Sequence, residues 1–239
     1  MMNPYLAEFI GTAVLLAFGN GVVANVLLKH SKGINGGWIV ISFGWAMAVF
    51  LGVFAVSKYS GAHLNPAVTI CLALTGKFAW AEVPLYILAQ VAGAFSGAVL
   101  MWLCYKDHFK ATEDEGLKLA VFSTAPAIRN PISNLLTETI ATAIFLLLVL
   151  LIIAPTNSLG ALDALPVALL VLGVGLSLGG PTGYAINPAR DLGPRIAHFL
   201  LPLGLKGSSD WSYAWVPIAG PIAGSFIAAA LYQLLTSNF

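Results

Sequence analysis

Six stretches of this chain are apolar over close to the roughly 20 residues that a helix needs to cross a lipid bilayer. They are Tyr5 to Leu28, Trp38 to Ser57, Ala81 to Tyr105, Ser133 to Ala154, Leu165 to Leu178 with its flanks, and Trp211 to Leu235. Inside hydrocarbon the backbone N–H and C=O groups must be paired within the segment, so each stretch is restricted to an α-helix. Only 9% of the 239 residues are charged, against roughly 25% in soluble domains, and the mean hydropathy is +0.88. The expected class is an all-α integral membrane protein with six transmembrane helices. A net charge of +1 offers no basic excess to hold nucleic acid.

Two further apolar segments, Pro66 to Leu74 and Pro188 to Leu201, are too short to cross. Each begins with the same triplet, Asn65-Pro66-Ala67 in SGAHLNPAVT and Asn187-Pro188-Ala189 in TGYAINPARD. Asn is a favoured helix N-cap and Pro a favoured first helical residue, so each triplet predicts a helix start. The turn-rich residues before them, Ser60 to Leu64 and Gly179 to Tyr184, cannot continue a regular helix. Irregular backbone survives at membrane depth only where it is buried in protein or lines a water-filled cavity. Both segments are therefore expected to be re-entrant half-helices.

The two halves share one grammar. Glu8 in AEFIGT matches Glu138 in TETIAT, Asn65 matches Asn187, and Gly93-x-x-x-Gly97 matches Gly220-x-x-x-Gly224. Three spans per half is an odd number, so the second half enters from the opposite side, as in inverted-repeat transport proteins with a site near the midplane. The organisation expected is a single channel domain over residues 1–239, with repeats at about 1–105 and 133–239 joined by loop 106–132. That loop mixes Lys and acidic residues and is expected to be solvated. The glycine pairs suit close helix packing, and Trp38, Trp211 and Trp215 suit interfacial anchoring.

A helix N-terminus carries about half a positive charge and unpaired N–H groups. Two such ends meeting at the bilayer centre repel cations. Each capping Asn accepts from its own helix and keeps its NH2 as a donor towards a passing solute oxygen. Cys71 and Cys104 lie in apolar stretches without metal-ligand spacing, so buried packing is their expected role and no metal or other cofactor is expected. A catalytic Ser/His pair, an HExxH run or a paired-Asp motif is missing from facing spans, which argues against an intramembrane enzyme. A secondary transporter also uses inverted repeats, but its ion coupling needs lumen-facing titratable groups where this chain has Asn.

With these residues the chain resembles the aquaporin family along nearly its whole length, from AEFIGT to the last Gly-rich span. The Arg190-Asp191 pair in NPARD makes the match closest to the glycerol facilitator branch. The resemblance implies an aquaporin-like right-handed bundle, and a passive channel for glycerol and other small uncharged solutes, with water, that excludes protons and ions. Urea, dihydroxyacetone and undissociated small organic acids are further solutes it suggests. It also implies a homotetramer in the plasma membrane with both termini cytoplasmic. The charge bias of the loops does not fix orientation.

By position, the resemblance carries the narrow filter onto Trp45, Gly175, Tyr184 and Arg190. Water-selective members fill the first two positions with Phe and His, so this filter is expected to be the wider type; a water-selective pore is the alternative. Val49 and Val171, one helical turn away, would continue an apolar wall. The carbonyls of Gly61, Ala62, His63 and of Gly183, Tyr184, Ala185 would face it as acceptors. Glu8, Glu138 and Asp191 would stabilise the loops. Tyr184 stands where Phe is commoner, and its hydroxyl is expected to narrow or polarise the filter.

Overall fold

The computed structural model describes residues 2–152 and 160–237, so residues 153 and 154, the end of the expected fourth span, lie outside the described residues. Among the described residues the chain forms nine α-helices, two short 3-10 turns and no strand. They are α1 Pro4–Leu27, α2 Gly37–Ser60, α3 Pro66–Leu74, α4 Val83–Ala111, α5 Glu115–Phe122, α6 Pro131–Leu151, α7 Leu165–Ser177, α8 Pro188–Leu200 and α9 Val216–Thr236. Helices α1, α2, α4, α6 and α9 are long and apolar enough to cross a bilayer. The fifth expected span, α7, has only 13 residues; the 3-10 turn Gly160–Ala164 precedes it, and the apolar helical stretch runs Leu162–Ser177.

Four helices, not two, start on Asn-Pro. Asn3, Asn65, Asn130 and Asn187 each cap a helix with the side-chain oxygen and place Pro at its start. The same cap chemistry therefore opens the first span of each half and the half-helix of each half. Burial separates them: Asn3 and Asn130 are exposed, whereas Asn65 and Asn187 are buried.

The spans pack in two matching pairs, α1 on α4 and α6 on α9. A Cβ on Gly93 or Gly97 of α4 would land on the carbonyl oxygens of Phe9 and Ala13 of α1. In the second pair a Cβ on Gly220 would stand 2.6 Å from Glu138 Cβ, and one on Gly224 2.7 Å from the Thr139 carbonyl. Glycine at these four positions lets the backbones touch, which is the main attraction available between helices in lipid.

One face of the bundle gathers the start of α1 with the ends of α3 and α9. There the Tyr5 hydroxyl donates to Glu82, Gln233 Nε2 donates to the Leu74 carbonyl, and Lys77 lies 5.1 Å from the Tyr232 ring centre. The opposite face gathers the ends of α1 and α4 and the α8–α9 connection. There the Lys29 N–H donates to Thr112 Oγ1, and Arg129 pairs with Asp210.

Residues 106–132 differ from a simple solvated connection. Residues 106–111 are the last turns of α4, and α5 folds back on α8. Val121 and Phe122 are buried, and Lys118 is buried with its ammonium donating to the carbonyls of Leu203 (3.2 Å) and Leu205 (2.5 Å). Apart from Lys118 the charge run marks the outward side of α5, while Val121 and Phe122 are buried on its inner side.

Candidate functional site

The two loops before the half-helices repeat one backbone shape. Gly61, Ala62 and Leu64 have φ of 79°, 49° and 51°, and Gly183, Tyr184 and Ile186 have 80°, 38° and 43°. Left-handed backbone at a residue with a Cβ costs roughly 1–2 kcal/mol, so something must hold it. The holders are the two interior carboxylates. Glu8 accepts from the His63 N–H (2.9 Å), the Leu64 N–H (2.7 Å), Ser60 Oγ (2.6 Å) and Gln90 Nε2 (2.8 Å). Glu138 accepts from the N–H groups of Ala185 and Ile186, both at 3.0 Å. Each carboxylate is buried and turned inward, as it must be where exposure to lipid costs a charged side chain about 3 kcal/mol or more.

The half-helices meet at their N-termini. Asn65 Oδ1 accepts from the Ala67 N–H at 2.8 Å, and Asn187 Oδ1 from those of Ala189 at 3.0 Å and Arg190 at 3.2 Å. The amide nitrogens then cross between the repeats: Asn65 Nδ2 donates to the Ile186 carbonyl and Asn187 Nδ2 to the Leu64 carbonyl, both at 2.9 Å. This exchange uses one of the two hydrogens on each NH2. The other remains on a residue that lines the central cavity.

That cavity, of about 180 Å³, is far larger than the 10–15 Å³ that one water requires. Gly61, Ala62, His63, Tyr184 and Ala185 line it, while Gly183 packs against Thr124. Among the described residues, none of the carbonyls of residues 61–63 or 183–185 accepts a hydrogen bond from the protein. Backbone acceptors at membrane depth need partners, and this row finds none within the described protein. The facing wall is apolar and includes Val49, Val53, Val68, Phe145 and Val171.

Trp45, Tyr184 and Arg190 also line the cavity. The guanidinium of Arg190 lies 4.2 Å from the Trp45 ring centre. Arg190 does not pair with Asp191. Asp191 instead accepts from Arg195 (2.7 and 3.0 Å) and from Thr124 N–H (2.8 Å) and Oγ1 (2.7 Å), a fully buried cluster that pins the α5 connection to α8. Gly175 backs the wall: a Cβ there would stand 2.9 Å from Tyr184 Cζ, so the space that its missing side chain leaves is filled by the tyrosine ring. The Tyr184 hydroxyl is buried on that side, against Gly175 and Ser42.

Three supports of this wall carry no sequence signal. Trp38, expected only as an interfacial anchor, donates its indole N–H to the Gly175 carbonyl at 2.8 Å and meets Tyr184 edge-on at 5.8 Å. Gly179 admits the Tyr184 ring, and Gly19 of α1 admits Trp45. His63, which precedes the first triplet, bonds Thr69 Oγ1 at 3.1 Å and sits against Phe78 and Tyr86.

The arrangement has counterparts among known proteins. Residues 1–232 match the Major intrinsic protein family. A probable glycerol uptake facilitator protein of Thermotoga maritima is 57% identical over 98% of this chain and 100% of its own length. The glycerol uptake facilitator protein of Streptococcus pneumoniae is 50% identical over the same shares. The X-ray structure of the aquaglyceroporin from Plasmodium falciparum aligns with a TM-score of 0.84 at 33% identity, over 98% of this chain and 97% of that one. With its paired half-helices and its whole-length likeness to these proteins, the chain belongs to the Major intrinsic protein family of multi-pass membrane channels.

Proposed function

We propose that this protein is a passive membrane channel for glycerol and other small uncharged solutes, with water, and that Trp45, Gly175, Tyr184 and Arg190 form its selectivity filter. The observation that carries the reading is the pairing of an unsatisfied carbonyl row with an apolar wall in one cavity. A polyol has this polarity: hydroxyls on one edge, C–H groups on the other. Its hydroxyl protons meet the carbonyls of Gly61, Ala62, His63, Tyr184 and Ala185. Its hydroxyl oxygens meet the free N–H of Asn65, Asn187 and Arg190, and its carbons lie on Trp45, Tyr184, Val49 and Val171. Urea, dihydroxyacetone and undissociated small organic acids share enough of that pattern to be co-substrates.

Cations are refused by the same parts. The two helix ends together present about one positive charge, which repels a cation at roughly 5 Å by about 3 kcal/mol at an effective dielectric of 20. Arg190 adds a full charge on the cavity wall. Glu8 and Glu138 spend their oxygens on the loops, which leaves the path without an acid to relay protons. The same two acids and Asp191 are the loop-stabilising groups of the reading. Residues 1–105 and 133–239 act as inverted repeats of one channel domain, assembled as a homotetramer in the plasma membrane with both termini cytoplasmic.

The alternative of a water-selective pore is weakened by the Trp45 and Gly175 pair, since the glycine brings no side chain of its own and the aromatic part of the filter is Trp45 with Tyr184. Stopped-flow permeabilities of proteoliposomes to water, glycerol and urea test the assignment. Trp45→Ala is expected to raise the urea-to-glycerol permeability ratio by removing the apolar corner. Unchanged ratios would show that Trp45 is not in the filter.

A further inference from the structure

We propose that Ser42 is a positioning residue for the filter: its hydroxyl holds that of Tyr184 over Gly175, and the bond between them fixes the aromatic wall and so the largest polyol that passes. The proposal rests on the filter reading above and deepens it. Ser42 is wholly buried on α2, and Tyr184 is 5% exposed. Their hydroxyl oxygens are buried, and neither has a hydrogen-bond partner among the described residues. They converge on one point: a Cβ at Gly175 would stand 3.1 Å from Tyr184 Oη and 3.2 Å from Ser42 Oγ.

A buried hydroxyl without a partner is costly, and here the hydroxyl across Gly175 is the partner within reach. The placement along α2 gives the contact its meaning. Ser42 lies four residues after Trp38 and three before Trp45, so one helix face carries all three. Trp38 meets the tyrosine ring edge-on, while Trp45 lines the cavity under Arg190. The Ser42–Tyr184 contact thus ties the loop of the second repeat to the helix of the first, beside the residues proposed as the filter. A phenylalanine at 184 would fill the same space without that tie, and its ring would be held by packing alone.

The test compares the wild-type protein with Ser42→Ala, Tyr184→Phe and the double variant, each reconstituted in proteoliposomes and each normalised to its water permeability. The readout is the erythritol-to-glycerol permeability ratio, which a loss of folded protein would not move. Each single variant is expected to raise that ratio about three- to tenfold, the range that loss of one hydrogen bond allows. The double variant is expected to match the singles, because both remove one bond. An unchanged ratio in Ser42→Ala overturns the proposal, and so do multiplying effects in the double variant, which would mean that the hydroxyls act separately. Trp45→Ala, measured alongside, separates the two ideas. If it shifts the ratios while Ser42→Ala does not, only the tie fails; if neither shifts them, the filter assignment fails.

Discussion

Replacing Glu138 with Gln removes one charge and one acceptor from the second loop and leaves its shape otherwise unchanged. In the wild-type protein two carboxylate oxygens hold two adjacent N–H groups, those of Ala185 and Ile186, at 3.0 Å each. The amide keeps one oxygen and turns an N–H towards the other backbone N–H. One bond loses its charge assistance and one buried donor is left unpaired, a loss of about 2–4 kcal/mol. Relief from burying a carboxylate returns part of this, for a net cost of about 1–3 kcal/mol. The N–H groups concerned, those of Ala185 and Ile186, hold a loop in which Tyr184 and Ile186 have positive φ, so the strain of the loop is less well opposed. Thermal melting of the detergent-solubilised protein is expected to shift down for Glu138→Gln. The glycerol-to-water permeability ratio of the folded fraction is expected to stay as in the wild type. Unchanged melting with an altered ratio would refute the reasoning, since it would mean that the carboxylate faces the solute.

Gly97→Leu is expected to abolish assembly of the α1–α4 seam, because a Cβ at 97 already lands on the Ala13 carbonyl; normal yield and a normal gel-filtration profile would contradict this. The exposed connection after α8 has a defined pH response. Burial would raise the Asp210 carboxyl, but hydrogen bonds from Arg129 and Ser212 outweigh it and hold the group below the ordinary aspartate value. A depressed carboxyl contributes stability above its unfolded value of about 4 and loses it as pH falls through the lower folded value. Amide exchange across residues 201–215, corrected for intrinsic rates, is therefore expected to show flat protection from about pH 8 to about pH 5 and a decline only in stronger acid. A decline that begins near neutrality would contradict the pairing.

What the sequence makes legible follows from how local each cause is. Apolar length marks the spans because lipid acts on every residue of a segment alike, and α7 departs from the simple reading because a 3-10 turn supplies part of its length. Asn-Pro marks helix starts because the cap bond reaches only two or three residues. That same locality hides the difference between Asn3 and Asn65, which have identical caps and opposite burial. The cross-bonds of Asn65 and Asn187 reach partners 121 and 123 residues away, and only the duplicated pattern hints at them. Trp38, Ser42 and Gly179 matter through what folds against them. Nothing in their own neighbourhood distinguishes a tryptophan at a membrane interface from one bonded to Gly175. Likewise, the charges of residues 106–118 point outward in sequence terms, while Thr124 is held inward by an aspartate that the chain reaches 67 residues later.

The central claim is downhill passage of a neutral solute without ion coupling. Glycerol uptake into proteoliposomes, followed together with an internal pH dye and with or without a protonophore, tests it most directly. The account predicts a glycerol flux set by the glycerol gradient alone, equal with and without protonophore, and no change of internal pH as glycerol enters. A saturable uptake that collapses with the protonophore, or a pH change that tracks glycerol entry, would contradict it.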